Sequence, residues 1–290
     1  MSTHISASTL SRLPAPFLVL TAVVSVQYGA ALARDLFPVI GAGGTVFLRL
    51  LVAVICLFAL FRPNIIALYR QHFRIMALFG VCIALSTLFF YLAVQRIPLG
   101  IAIAIEFIGP LVVAVRNSRT WLDRMWIGIA ALSIALLIPD IGVSLDVWGV
   151  AAALIAAVFW GLYIVTSPRV AAVASAYDGL IGGLIVALVI MSVPGVIQGG
   201  WQLLNPNILW QSFVMGIAAA IIPFTFEYNA LQRMPARTYG VLVCSEPVVG
   251  ALIGWLILHE SLNTNAVIAI VGITIASLGS TLTNKEEVHA

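Results

Sequence analysis

The segments Tyr91-Leu92-Ala93-Val94-Gln95-Arg96-Ile97-Pro98 and Tyr228-Asn229-Ala230-Leu231-Gln232-Arg233-Met234-Pro235 agree at Tyr, Ala, Gln, Arg and Pro. The same offset of 137 residues brings Pro110 onto Pro247, Val112 onto Val249 and Ala114 onto Ala251. Agreement that persists in one register into the following apolar run marks an internal duplication. An offset of 132 sets Tyr28-Gly29 against Trp160-Gly161 in the first apolar run of each half. The 290 residues thus divide near their midpoint, into repeats at 1–144 and 145–290.

Outward from the repeat the chain is almost wholly apolar, with 62% hydrophobic residues, 9% charged residues and a mean hydropathy of +1.12. A soluble domain needs a polar shell, which this composition cannot supply. The apolar runs are long and continuous, so they read as helices rather than as the short alternating strands of a barrel. Spans are expected at approximately 16–33, 42–61, 75–95, 98–115, 121–138, 147–167, 177–197, 209–231, 236–258 and 264–282. The predicted fold is all-α and integral to the membrane, with ten transmembrane helices. Because each half holds an odd number of spans, the second copy crosses in the opposite sense, giving an inverted-topology repeat. The first run resembles a secretory signal, with Arg12 ahead of it and Ala31-Leu32-Ala33 like a cleavage site. Removing it would leave the repeat unpaired, so it reads as a retained span.

Charge position matters more than the net +3. With a cytoplasmic N-terminus, one side receives Arg12, Arg62, Arg70, Arg74, Arg116, Arg119, Arg124, Arg169, Arg233, Arg237 and Lys285, eleven of the fourteen basic residues. The other side receives Arg34 and Arg96 together with Asp35, Asp140, Asp146 and Glu260. Positive charge stays in the cytoplasm, so both termini of this multi-pass membrane protein are expected there. The basic loops are short and scattered, and they read as topology signals rather than as a nucleic-acid surface.

Inverted halves have a mechanical meaning: exchanging their conformations turns an outward-open cavity into an inward-open one, which is alternating access. Four ionisable residues lie within predicted spans: Arg49, Glu106, Glu227 and Glu246. A charge at a helix centre costs roughly 2.5–3.5 kcal/mol on insertion scales, so such groups normally face a cavity or a partner. Glu106 and Glu246 are too deep for a short side chain to reach water. Arg49 is long enough to snorkel, and Glu227 lies near enough to Arg233 and Arg237 to pair with them. A guanidinium can hold a carboxylate and a glutamate an ammonium, which together suit a small amino acid. Desolvation at such depth works against the charged carboxylate, so Glu106 or Glu246 is expected to exchange protons and make protons a partner in transport.

Tyr28, Tyr91, Trp160, Tyr163, Tyr228 and Tyr239 are candidate cavity walls, Trp160 and Tyr163 lying furthest inward. Pro110 and Pro247, mid-helix and related by the repeat, are candidate hinges. Cys56, Cys82 and Cys244 all sit in apolar runs without metal-ligand spacing and read as buried free thiols. Tyr177-Asp178 has no second intramembrane aspartate to share a proton, as aspartyl proteolysis requires. There is no Gly-x-Ser-x-Gly elbow, no His-Glu-x-x-His helix and no phosphate-binding loop ending in Lys-Ser or Lys-Thr. His4, His72, His259 and His289 lie near water. The sequence therefore predicts no enzyme, no metal, no cofactor and no nucleotide, and any pumping is secondary. A membrane scaffold that keeps its duplication for stability alone is the rival class.

These motifs resemble the EamA branch of the drug/metabolite transporter superfamily, and within it the inner-membrane threonine and homoserine exporters, over nearly the whole chain. The resemblance rests on Phe47-Leu48-Arg49-Leu50, on Pro98-Leu99-Gly100-Ile101-Ala102 leading to Glu106-Phe107-Ile108-Gly109-Pro110-Leu111, and on Glu246-Pro247. It extends to Leu231-Gln232-Arg233-Met234-Pro235-Ala236-Arg237-Thr238-Tyr239-Gly240 and Ser277-Leu278-Gly279-Ser280-Thr281-Leu282-Thr283. The resemblance implies efflux of small amino acids through a cavity formed by helices one to four and six to nine, with five and ten peripheral. It implies substrate contacts at Arg49, Glu106, Glu227 and Glu246, where similar exporters carry the same residue types. His259-Glu260 closes the second half, whereas Arg116-Asn117-Ser118-Arg119 stands in the first, a departure from the broader superfamily that the exporter subgroup shares. Export of other metabolites or drugs is the rival within the fold.

Overall fold

Helix α1 spans Ala15–Phe61, far longer than a bilayer crossing, and is interrupted once, at Gly41. Gly41 has φ 68° and ψ 171°, a conformation that a residue with a Cβ rarely adopts, and it turns the chain back on itself. The first arm continues helically past the expected end at 33 through Arg34 and Pro38, because nothing before Gly41 stops it. The structure, a computed structural model, describes residues 13–116, 121–136, 145–231, 233, 234, 239 and 242–283.

The remaining elements are α2 (Ile65–Val94), α3 (Leu99–Glu106), α4 (Ile108–Arg116), α5 (Trp121–Ala135), α6 (Val147–Ala171) and α7 (Ala176–Gly199). A short 3-10 turn at Gly200–Leu204 follows, then α8 (Pro206–Gly216), a π-helical turn (Ile217–Ile221), α9 (Ile222–Leu231), α10 (Glu246–Ile257) and α11 (Thr264–Thr283). Among the described residues the regular elements are all helical. Local chemistry sets several boundaries. Asn64 accepts the Ala67 N–H at 3.3 Å, which starts α2 ten residues earlier than hydropathy does, and the added turns are joined across a distorted His72. Asp146 accepts the Gly149 N–H at 2.8 Å and Ser175 the Asp178 N–H at 3.2 Å, capping α6 and α7.

The predicted fourth helix is broken at Phe107 into α3 and α4, and the predicted ninth turns at Cys244–Ser245 before α10 begins. Each break lies about one turn before a repeat-related proline. Pro110 cannot donate to the Glu106 carbonyl, nor Pro247 to that of Val243, so both ladders lose the same bond.

Among the described residues, five helices are long and apolar enough to cross a membrane: Ala15–Phe61, Ile65–Val94, Val147–Ala171, Tyr177–Leu204 and Pro206–Glu227. Leu99–Val113, Glu246–Ile257 and Thr264–Gly279 are shorter apolar helices. The outer surface is oily, with Ile197 77% and Trp201 88% exposed, which only a lipid solvent tolerates.

Connections gather at two ends of the bundle. At the Phe61 end, Phe61 stacks on Tyr177 and Arg233 Nη1 donates to the Leu13 carbonyl at 3.0 Å. At the Leu99 end, the Gly43 N–H donates to Gln198 Oε1 at 2.8 Å and Arg96 lies 3.5 Å from Asp146. The two halves interlock rather than stand side by side: α1 packs on α7, α8 and α9, and α2 on α6 and α7. In lipid, helices associate through close packing, and small residues allow it. A Cβ on Gly100 would lie 2.7 Å from Ala251 Cα, and one on Gly29 2.6 Å from Ala219 Cβ. Helices α5 and α11 pack on each other, with Gly279 against Trp126 and Gly272 against Ser133.

Candidate functional site

Arg49 lies in the second arm of α1 and does not snorkel. Its Nη1 donates to the Tyr91 hydroxyl at 3.1 Å and its Nη2 to the Ala219 carbonyl at 3.1 Å. The guanidinium carbon also stands 5.4 Å from the centre of the Tyr91 ring, within cation–π range. Tyr91 is fully buried and braced edge-on by Phe37, with ring centres 5.5 Å apart. Ala219 belongs to the π-helical turn, where the backbone ladder is re-registered and carbonyls can be turned toward neighbours. The adjacent Ala218 carbonyl accepts from Ser25 Oγ of α1 at 2.7 Å. Two of the five guanidinium N–H groups of Arg49 are thus used to fix it in place.

Glu106 is the last residue of α3 and accepts from Ser86 Oγ of α2 at 3.3 Å, within electrostatic reach of Arg49. Glu246 is the first residue of α10 and accepts from Gln27 Nε2 of α1 at 3.4 Å. The other amide atom, Gln27 Oε1, is buried without a partner among the described residues. Glu246 interacts electrostatically with both Glu106 and Glu227, so the three carboxylates form one group. Glu227, on α9, accepts from the Tyr239 hydroxyl and feels the Tyr163 ring hydroxyl. Each of the four charged side chains lies among protein atoms yet keeps some free surface, as groups lining an internal cavity do.

A cavity of about 270 Å³ adjoins this cluster, walled by Phe107, Pro110, Trp160, Tyr163, Tyr239 and Cys244 among others. Trp160 meets Phe107 edge-on with ring centres 5.0 Å apart, and Tyr163 stacks on Phe79 at 4.9 Å. The structure therefore brings together Arg49, Tyr91, Glu106, Glu227 and Glu246, with Trp160, Tyr163 and Pro110 on the adjoining wall. Pro247 is buried at the second position of α10. Tyr228 lies in α9, its side chain outside the described ones, and Tyr28 faces outward. Cys82 and Cys244 are buried and Cys56 only half-buried, all as free thiols.

The sequence reading passed over Gln27, Ser25 and Ser86. A lone glutamine in the middle of an apolar span was the available signal for Gln27, whereas serines are common in such helices and carry none. The Ala219 carbonyl had one signal, Pro223, which has no N–H to give it four residues on, but nothing in the sequence aims that carbonyl at Arg49, 170 residues away.

The profile of the EamA-like transporter family matches residues 147–282. The threonine/homoserine exporter RhtA of Escherichia coli strain K12 is 36% identical over 273 residues, 93% of this chain and 92% of that protein. The threonine/homoserine exporter RhtA of Salmonella typhimurium strain LT2 is 36% identical over 276 residues, covering 94% and 93% of the two chains. A solved crystal structure shares the fold at a TM-score of 0.64 and 16% identity, over 92% of this chain and 96% of its own.

Proposed function

This chain belongs to the EamA-like transporter family, and on that footing we propose that it exports small amino acids of the threonine and homoserine type from the cytoplasm by alternating access. The observation that carries the reading is the opposed pair at the centre of an apolar bundle: a fixed, incompletely used guanidinium at Arg49 within reach of the Glu106 carboxylate. The free N–H groups of Arg49 take the substrate carboxylate. Glu106 takes the ammonium, at a helix end whose carbonyls also favour positive charge. Glu246 stands instead at a helix start, held by Gln27. Tyr91 orients Arg49, and Trp160 and Tyr163 wall the site, Tyr163 beside Glu227. Pockets for drug-sized ligands run to roughly 300–1,000 Å³. The 270 Å³ cavity lies at the small end of that range and has room for a small amino acid.

The scaffold for this cycle is two inverted five-helix repeats, 1–144 and 145–290, making ten spans in the inner membrane with both termini cytoplasmic. The matched breaks before Pro110 and Pro247 support the repeat and supply its hinges. Export is coupled to protons through the carboxylate group. Overproduction tests the substrate class: cells should gain resistance to inhibitory threonine or homoserine. Resistance to unrelated drugs alone would reassign the substrate. In sealed vesicles, an imposed pH gradient should change the flux rate, and flux indifferent to it would remove protons from the mechanism.

A further inference from the structure

Gln27, Ala30 and Arg34 recur at helical spacing along one face of α1, and that face runs from the carboxylate group to the Leu99 end of the bundle. At its far end the Arg34 guanidinium pairs with Glu260, which lies between α10 and α11. Glu260 is well placed to join several elements at once. Its second carboxylate oxygen accepts the Leu99 N–H at 2.9 Å, capping the start of α3. Its own N–H donates to the Gly254 carbonyl at 3.0 Å, which finishes α10. His259, at φ 54°, supplies the left-handed step that swings Glu260 back over the bundle, and Gly254 leaves space beneath the carboxylate. The Glu260 side chain is only 8% exposed, whereas Arg34 remains 34% exposed. One carboxylate therefore ties the first arm of α1, the start of the helix ending in Glu106, and the end of the helix beginning at Glu246.

Resting on the alternating-access reading above, we propose that the Arg34–Glu260 pair is a latch that closes the transport pathway at the Leu99 end and must break in each cycle. The two roles of Glu260 are separable. A glutamine at 260 still accepts the Leu99 N–H but no longer attracts Arg34, so a purely structural cap survives Glu260→Gln while a latch does not. The pair is partly exposed, and its loss corresponds to about a fivefold change in the closed-to-open ratio.

The test places a reporter cysteine at Ala30, one turn below Arg34 on the same face, in a chain whose Cys56, Cys82 and Cys244 are replaced by serine. The alkylation rate by a membrane-impermeant thiol reagent is read from the Leu99 side of oriented vesicles. Glu260→Gln and Arg34→Gln should each raise that rate about fivefold, and Arg34→Lys, which keeps the charge, should leave it near the parent value. Unchanged rates in both glutamine variants overturn the latch, as does an equal rise with Arg34→Lys. If Glu260→Gln does not accumulate in the membrane, the Arg34→Gln and Arg34→Lys comparison decides alone. The readout is accessibility rather than flux, so a failure of the amino-acid substrate assignment registers separately.

Discussion

At the residue scale the site is defined by how Arg49 is held. Charge-assisted hydrogen bonds contribute about 1.5–3 kcal/mol each, and the loss of one partner leaves a buried donor to be desolvated without return. Arg49→Lys keeps the charge but cannot reach the Tyr91 hydroxyl and the Ala219 carbonyl with two separate N–H groups while presenting others to a substrate. Flux measured at saturating and at low substrate should show it nearly as impaired as Arg49→Gln. Tyr91→Phe, which removes only the hydroxyl acceptor, should fall in between, about tenfold down. A Lys variant of wild-type rate would mean that Arg49 acts as a point charge and that its fixing is irrelevant. The four buried charges were legible in the sequence because ionisable residues in apolar runs are rare and costly. The pairings were not, because what Ser86, Gln27 and the Ala219 carbonyl each meet is set by the packing of distant helices.

At the scale of elements, hydropathy located apolar helices, five of them long enough to cross a membrane among the described residues, and missed their interruptions. The length of an apolar run predicts a span, but the left-handed Gly41, the break at Phe107 and the π-helical turn at Ile217–Ile221 leave hydropathy unchanged. Of these, only the break at Phe107 carries a mark in the repeat, Pro110, as Pro247 does for the turn at Cys244–Ser245. If those prolines act as hinges, Pro110→Ala and Pro247→Ala should restore a continuous ladder, keep or raise thermal stability, and lower flux. Lower stability with unchanged flux would assign them to packing alone. The π-helical turn has its own test. A methyl on Gly29 would press on Ala219, whose backbone N is 2.8 Å from that position, so Gly29→Ala should push α1 off the carbonyl that holds Arg49. Overpacking of this kind costs about 1–3 kcal/mol. The variant should lose both melting temperature and flux, and Gly128→Ala, where a Cβ meets open space, should lose neither.

Across the whole molecule, the proposed repeat carries an unequal candidate site. Glu246 corresponds by the repeat register to Gly109, and the structure supplies the reason a side chain is missing there: Gly109 backs directly onto the Ala157 carbonyl of α6. Glu106 ends one half-helix beside Ser86 and Glu246 begins the other beside Gln27, so the two carboxylates stand in different surroundings. A zwitterion needs such inequality, since its two charges must be told apart. The most direct test is counterflow in proteoliposomes with a panel of labelled amino acids, comparing wild type with Arg49→Gln and Glu106→Gln at equal folded protein. Wild type should exchange threonine or homoserine, and each variant should fall by about tenfold or more. Equal exchange by all three proteins, or exchange of no amino acid by folded wild type, would contradict the account.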